Sequence, residues 1–174
     1  MDVIITDHHT CKDRLPTAAA AILNPKRPDC DYPFDALAGV GVAFKLILAL
    51  AIKNGLKTTD VFNQYVDIAT LGTIADVVPL LGENRVIVDK GLKILHNPKR
   101  IGIRAVMEVA GVLDKPLSAS TIAFSIAPRL NAAGRLGSAA TAVELLLTND
   151  ESRARELALL LDTENKERQQ TERQ

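Results

Sequence analysis

The chain has 174 residues, 21 basic and 21 acidic, with 47% apolar residues, 3% aromatic, no Trp and two Cys. That length carries a real core, and the apolar content excludes a disordered tail. Two Cys exclude a disulfide scaffold, and zero net charge gives no support to a globally basic nucleic-acid binder.

In chain order, residues 2–6 (DVIIT) form a β-branched run that predicts a strand buried on both faces, ending directly in Asp7-His8-His9. Residues 19–23 predict a second strand, stopped by Asn24-Pro25, with Pro28 and Pro33 holding the next stretch in loop. Residues 36–54 are apolar nearly all round, which predicts a helix at a domain centre with Gly55 as its C-cap; within it the greasy stretch Ala36–Ala51, 16 residues long with Lys45 near its middle, falls short of a membrane span. The next helix is expected from a Thr59 or Asp60 cap to about Leu71, followed by GTIADVVP, where Pro79 ends any helix. Residues 83–96 predict a further helix, stopped by Asn97-Pro98, with His96 given no function beyond complementing the helix dipole. A short helix is expected over 103–110, ending at Gly111. Ser118 caps a helix expected to stop at Pro128, and residues 129–137 then read as a polar, glycine-containing loop. A helix is expected from Ser138 to Leu147, and Asp150 caps a last one. From Asp162 onward that last helix has no apolar residue, so it has little tertiary reason to be helical.

Three places carry residues suited to chemistry. Asp7-His8-His9 follows the carboxyl end of a strand, where active sites of open parallel sheets gather. Imidazole with carboxylate is a ligand set for Mn²⁺, Zn²⁺ or Fe²⁺. Adjacent side chains on an extended segment point opposite ways, so the two His are expected to divide the work, one toward metal and one toward substrate. Nearby Cys11 is open to two readings, a metal thiolate or an idle thiol. Asp76 sits among apolar residues, where an ionised carboxylate must be paired or hold a metal. Arg129, Asn131 and Arg135 combine guanidinium forks with soft backbone, which suits phosphate recognition, although a solvated loop would also account for them.

In this order, VIITDHH, LAGVGVAFKL, LGTIADVVPL and RLNAAGRLG resemble the RecJ branch of the DHH phosphoesterase family. The closing LLDTENKERQ resembles the segment that links the two core domains in that branch, so the resemblance covers essentially the whole chain. It implies an α/β fold: the helix-rich second half of a DHH phosphoesterase domain with a few parallel strands, ending in a long linker helix. The implied division is 1–149 for the C-terminal portion of the catalytic domain and 150–174 for the start of the linker helix. The implied activity is a 5′→3′ exonuclease degrading single-stranded DNA in recombination and repair, with two divalent cations, Mn²⁺ or Mg²⁺.

By motif, His8 and Asp76 resemble the metal ligands, and Asp7 supports that site as a ligand or from behind it. His9 resembles the histidine that faces the scissile phosphate, and Arg129 or Arg135, with Asn131, the phosphate-holding group. Implied partners are single-stranded DNA and, through a parent protein, a single-strand-binding protein and a helicase. The implied place is the bacterial cytoplasm, with no membrane association.

The family's Asp-x-Asp motif on an earlier strand has no counterpart here. Asp29-Cys30-Asp31 is the only such triplet and lies among prolines with no preceding apolar strand. The chain is therefore expected to be a piece of a longer protein, inactive in isolation, with an exposed apolar surface beside Val3–Ile5. Two alternatives remain: a DHH phosphodiesterase acting on short oligonucleotides or cyclic dinucleotides, and a non-catalytic DHH remnant that serves as a binding module.

Overall fold

A computed structural model describes residues 1–11, 14–136 and 139–172, without the side chains of residues 135 and 136. It divides into two compact units, Met1–Gly91 and Leu92–Gln174.

The first unit is built on a two-stranded parallel sheet. Strands β1 (Ile4–Thr6) and β2 (Ala21–Leu23) pair in the register Ile4 with Ala21 and Thr6 with Leu23. The ladder continues past both ends, from Ala20 N–H to Val3 O (2.8 Å) and from Asp7 N–H to Leu23 O (2.9 Å). The strand expected to be buried on both faces is not: Val3 is 47% and Ile4 59% exposed. Among the described residues only β2 pairs with β1, so one edge of β1 has no neighbour, and the expected apolar surface is present.

Helix α1 (Gly39–Lys53) packs on β1 and on α2 (Thr58–Ala75). It ends as expected at Gly55, whose φ of +68° closes the helix while Gly55 N–H bonds Ile52 O and Leu56 N–H bonds Ala51 O. Its all-round apolar surface is not all buried, since Leu50 and Ile52 are 50% and 68% exposed. Helix α1 covers one sheet and one helix, and that leaves its far side uncovered. Lys45 is accommodated by an ion pair with Glu83 at 2.9 Å and by the ring of Tyr32, whose hydroxyl also donates to Glu83.

Helix α2 begins at Thr58 after an extended Lys57, so neither Thr59 nor Asp60 caps it, and it does not stop at Leu71. It continues through Gly72 to Ala75 because this glycine lies against α1: an added Cβ would fall 2.7 Å from Val40 Cγ1. Helix α3 (Gly82–Leu95) follows close to expectation, with Ile87 O accepting the Thr70 hydroxyl at 3.0 Å.

The second unit is helical. It contains α4 (Ile101–Val109), a short α5 (Ala119–Thr121), α6 (Ala127–Leu136), α7 (Ala139–Leu147) and α8 (Glu151–Thr171). Helix α8 packs on α4, α6 and α7, burying Leu157, Ala158 and Leu161 beside Ile103, Met107, Ile126 and Leu145. Gly111 closes α4 as expected, and Ser118 and Asp150 cap α5 and α8 through Thr121 N–H and Arg153 N–H. The expected start of α7 at Ser138 lies outside the described residues.

Two expectations fail here. Pro128 does not stop the helix, and residues 129–136 are α6 rather than loop. Between α5 and α6 the chain makes a π turn over Ile122–Ile126, in which Ala127 N–H reaches Ile122 O. The wider turn removes the requirement that Pro128 donate to the carbonyl four residues back, and it relieves the clash of the ring there. The polar tail of α8 is also helical to Thr171, because Asp162 and Asn165 are buried, not solvated. Among the described residues no helix is long and apolar enough to cross a membrane.

Gly102 on α4 meets α7 at its backbone, and a Cβ there would lie 1.7 Å from Leu145 O. Gly102→Ala is therefore expected to cost about 3 kcal/mol, because a carbonyl cannot yield as a side chain does. Urea denaturation of the variant measures this loss.

Candidate metal centre

Strands β1 and β2 are parallel, so the residues after Thr6 and Leu23 emerge at the same end of the sheet. Each strand is followed there by a side chain that binds backbone. Asp7 Oδ1 accepts from His8 N–H (2.7 Å) and His9 N–H (3.2 Å), and it also meets His9 Nδ1 at 2.7 Å. This turn curls the chain immediately beyond the strand. The same bonds, that from the His9 ring first, hold the Asp7 carboxyl at a pKa of about 2.

From β2, Asn24 donates to His9 O at 2.8 Å and accepts from Lys26 N–H at 2.9 Å. It also reaches Cys11 Sγ at 3.5 Å. Asn24 was not among the residues expected to matter; its signal, Asn before Pro at a strand end, also reads as an ordinary stop.

The expectation that the two histidines point apart does not hold. Their ring centroids are 4.4 Å apart, because the Asp7 turn replaces the extended backbone on which alternation depends. Asp7, His8 and His9 each offer a ligand atom within 4.8 Å of the others.

His8 is largely buried, with 15% of its side chain exposed, and lies against the first residue of α1. A Cβ on Gly39 would fall 3.2 Å from His8 Cδ2, so glycine gives the ring its place. Across from it, Asp76 forms the C-cap of α2 and sets Oδ2 3.4 Å from His8 Nδ1.

The donor set fits a divalent cation on three observations. His8 Nδ1 is buried and has no hydrogen-bond partner, which is costly unless something else satisfies it. The carboxylate stands at the negative end of an 18-residue helix with no basic residue in its last turn, where positive charge is favoured. And ligands held about 2.0–2.2 Å from one small cation lie about 3.0–3.4 Å from each other, which matches the 3.4 Å observed. His8 Nδ1 and Asp76 Oδ2 thus face each other at the spacing of two ligand atoms, with Asp7 and His9 adjoining.

The remaining expected site residues lie in the second unit. Arg129 is on α6, where Nε and Nη2 both meet Asp162 Oδ1 at 2.8 Å and Nη1 donates to Ser125 O at 2.5 Å. That carbonyl belongs to the π turn. Asp162, which carried no signal in the sequence beyond its place in a polar tail, also pairs with Lys166 at 2.7 Å. Burial pushes the Asp162 carboxyl up, but Lys166 and Arg129 outweigh this and hold it below the usual range. Asn131 is exposed on α6, and the Arg135 side chain lies outside the described residues.

Ligand-type side chains, Asp-His-His among them, thus gather beyond the carboxyl end of a parallel sheet. Residues 1–73 match the family model described as DHH family, N-terminal domain. Over nearly its whole length it is similar to the single-stranded-DNA-specific exonuclease RecJ. It is 46% identical to RecJ of Bacillus subtilis over 97% of this chain and 20% of that protein, and 44% identical to RecJ of Escherichia coli over 98% and 31%. The crystal structure of RecJ from Thermus thermophilus in complex with Mn²⁺ superposes with a TM-score of 0.84 at 40% identity, covering 97% of this chain and 24% of that one. A second structure of that protein is a complex with Mg²⁺, with a TM-score of 0.79. The chain thus spans about a fifth to a third of the length of these curated relatives.

Asp162→Ala would leave the Arg129 guanidinium half-paired in a mostly buried place, at a cost of about 3 kcal/mol. Because the folded pKa of Asp162 is depressed, its contribution is full above the unfolded value of 3.8 and is lost as pH falls through the lower folded value. Denaturation of wild type and variant across pH 2–6 should show the difference shrinking toward the acid end.

Proposed function

We propose that this chain is the DHH-bearing part of a metal-dependent phosphodiesterase, whose whole protein degrades single-stranded DNA from the 5′ end in recombination and repair. The observation that carries the reading is the buried, unpartnered His8 Nδ1 set 3.4 Å from Asp76 Oδ2. The RecJ relatives support the substrate class, and their Mn²⁺ and Mg²⁺ complexes support the cations. A phosphodiesterase of short oligonucleotides or cyclic dinucleotides, and a non-catalytic remnant, are not favoured by these relatives.

His8 and Asp76 would hold a divalent cation, Mn²⁺ or Mg²⁺, one of two in the whole enzyme. When bound, such cations polarise a phosphoryl oxygen and lower the pKa of water. Asp7 fixes the turn that presents both histidines, remaining ionised at any physiological pH. His9, with its ring oriented by Asp7 and its carbonyl by Asn24, is exposed and free to face the scissile phosphate.

Arg129, Asn131 and Arg135 would take the non-bridging oxygens. Arg129 is suited to this because Asp162 holds its fork in one orientation, and Lys166 leaves that cluster with one net positive charge. In this reading residues 1–149 belong to the catalytic domain and 150–174 begin the connection onward. The working place is the bacterial cytoplasm, and a single-strand-binding protein and a helicase are the partners of the whole enzyme.

The 174-residue chain is expected to bind Mn²⁺ with Asp76 as a ligand, while degrading 5′-labelled single-stranded DNA poorly or not at all. Asp76→Ala should weaken Mn²⁺ binding at least tenfold with the circular dichroism spectrum unchanged, since Asp76 is a half-exposed helix end. Equal Mn²⁺ affinity in the variant would remove Asp76 from the centre, and robust nuclease activity of the chain alone would remove the need for a larger protein.

A further inference from the structure

Among the described residues four have φ in the left-handed region: Gly55 (+68°), Gly82 (+48°), Gly111 (+68°) and Val77 (+58°). Three are glycine, the residue that enters this region without a clash. Val77 is β-branched, for which the conformation is strained. Packing does not account for it, because Val77 is 85% exposed. The strained residue directly follows Asp76.

The neighbouring chain explains what the strain does. Val77 N–H bonds Ile74 O at 3.2 Å, the closing bond of a helix whose C-cap is the residue before it. A right-handed Val77 would carry α2 past Asp76, which would then sit in the last turn instead of at the cap. Pro79 already keeps Val78 out of that conformation. Downstream, the fully buried Asn84 donates to Pro79 O (2.9 Å) and to Ala36 O (2.7 Å), tying the segment after Val77 to the entry of α1. The chain is therefore fixed on both sides of Val77, the circumstance in which strain persists.

We infer that Val77 is a positioning residue of the cation centre: its left-handed backbone ends α2 at Asp76 and so holds Asp76 Oδ2 opposite His8 Nδ1, at a cost in fold stability. The inference rests on the cation reading proposed above. A glycine here would adopt the same conformation without strain, but would also visit others, so the carboxylate would lose its fixed place. Stability and cation affinity should then move in opposite directions, which a merely structural role would not produce.

The test compares wild type, Val77→Gly and Val77→Ile in the 174-residue chain. Mn²⁺ affinity is read from the paramagnetic resonance of the free ion, and Tm without cation from circular dichroism. Val77→Gly is expected to hold or raise Tm, by about 2–4 °C if the full strain is released, and to raise the Kd for Mn²⁺ about tenfold. Val77→Ile, which keeps the branch at an exposed position, should match wild type in both. A Val77→Gly chain with unchanged Mn²⁺ affinity overturns the inference, as does one with a lowered Tm or a Val77→Ile chain that binds as weakly as the glycine variant. A wild-type chain that binds no Mn²⁺ overturns the cation reading itself, and the role of Val77 falls with it.

Discussion

At Gly72 an added Cβ would come within 2.7 Å of Val40 Cγ1, so α2 can pass α1 here only with a hydrogen in place of a side chain. Beyond that crossing α2 runs on to Ala75, and its C-cap residue, Asp76, stands beside His8. A second missing side chain, at Gly39, makes room for the His8 ring against the start of α1. The candidate centre is thus held by close approach of helices, and its polar atoms are placed by apolar contacts several residues away. Interiors packed this tightly transmit such constraints with little slack.

Several polar groups find their partners within the chain. Asn24 and Asp7 bind backbone and shape the loop that carries both histidines. Asp162 meets two cations, and Lys45 meets Glu83 beside the ring of Tyr32. Among the described residues three buried side-chain atoms have no hydrogen-bond partner, His8 Nδ1, Asn84 Oδ1 and Glu164 Oε2, and His8 Nδ1 faces a carboxylate. An unsatisfied buried nitrogen is costly, which is the physical ground of the proposed cation site.

The Asp-His-His segment and Asp76 stand out in the sequence because their residue types are chemically distinctive and stand where apolar patterns break, and the structure sets His8 and Asp76 side by side. The loop geometry was not, because the alternation of side chains belongs to extended backbone and the Asp7 turn begins immediately after Thr6. Pro128 misled for a related reason. Its local effect is strong, but the π turn over Ile122–Ile126 just upstream changes which carbonyl would need its missing N–H. Residues 162–171 looked free of tertiary support since their stabilising contacts are ion pairs and buried amides, which leave no apolar periodicity to read.

By itself the sequence determined the parts governed by local chemistry: glycine at the ends of α1 and α4, Ser118 and Asp150 as caps, two short strands, and the ligand-type residues that follow the first of them. These depend on the conformational range of one residue or on hydrogen bonds a few positions apart. Tertiary structure alone decided that α2 runs on to Asp76, that both histidines share one side of a turn, that Arg129 is oriented by Asp162, and that a valine occupies a glycine's conformation. Each of these joins residues distant in the chain or is imposed by neighbours on both sides, and the free energy that settles it comes from contacts that no local window contains.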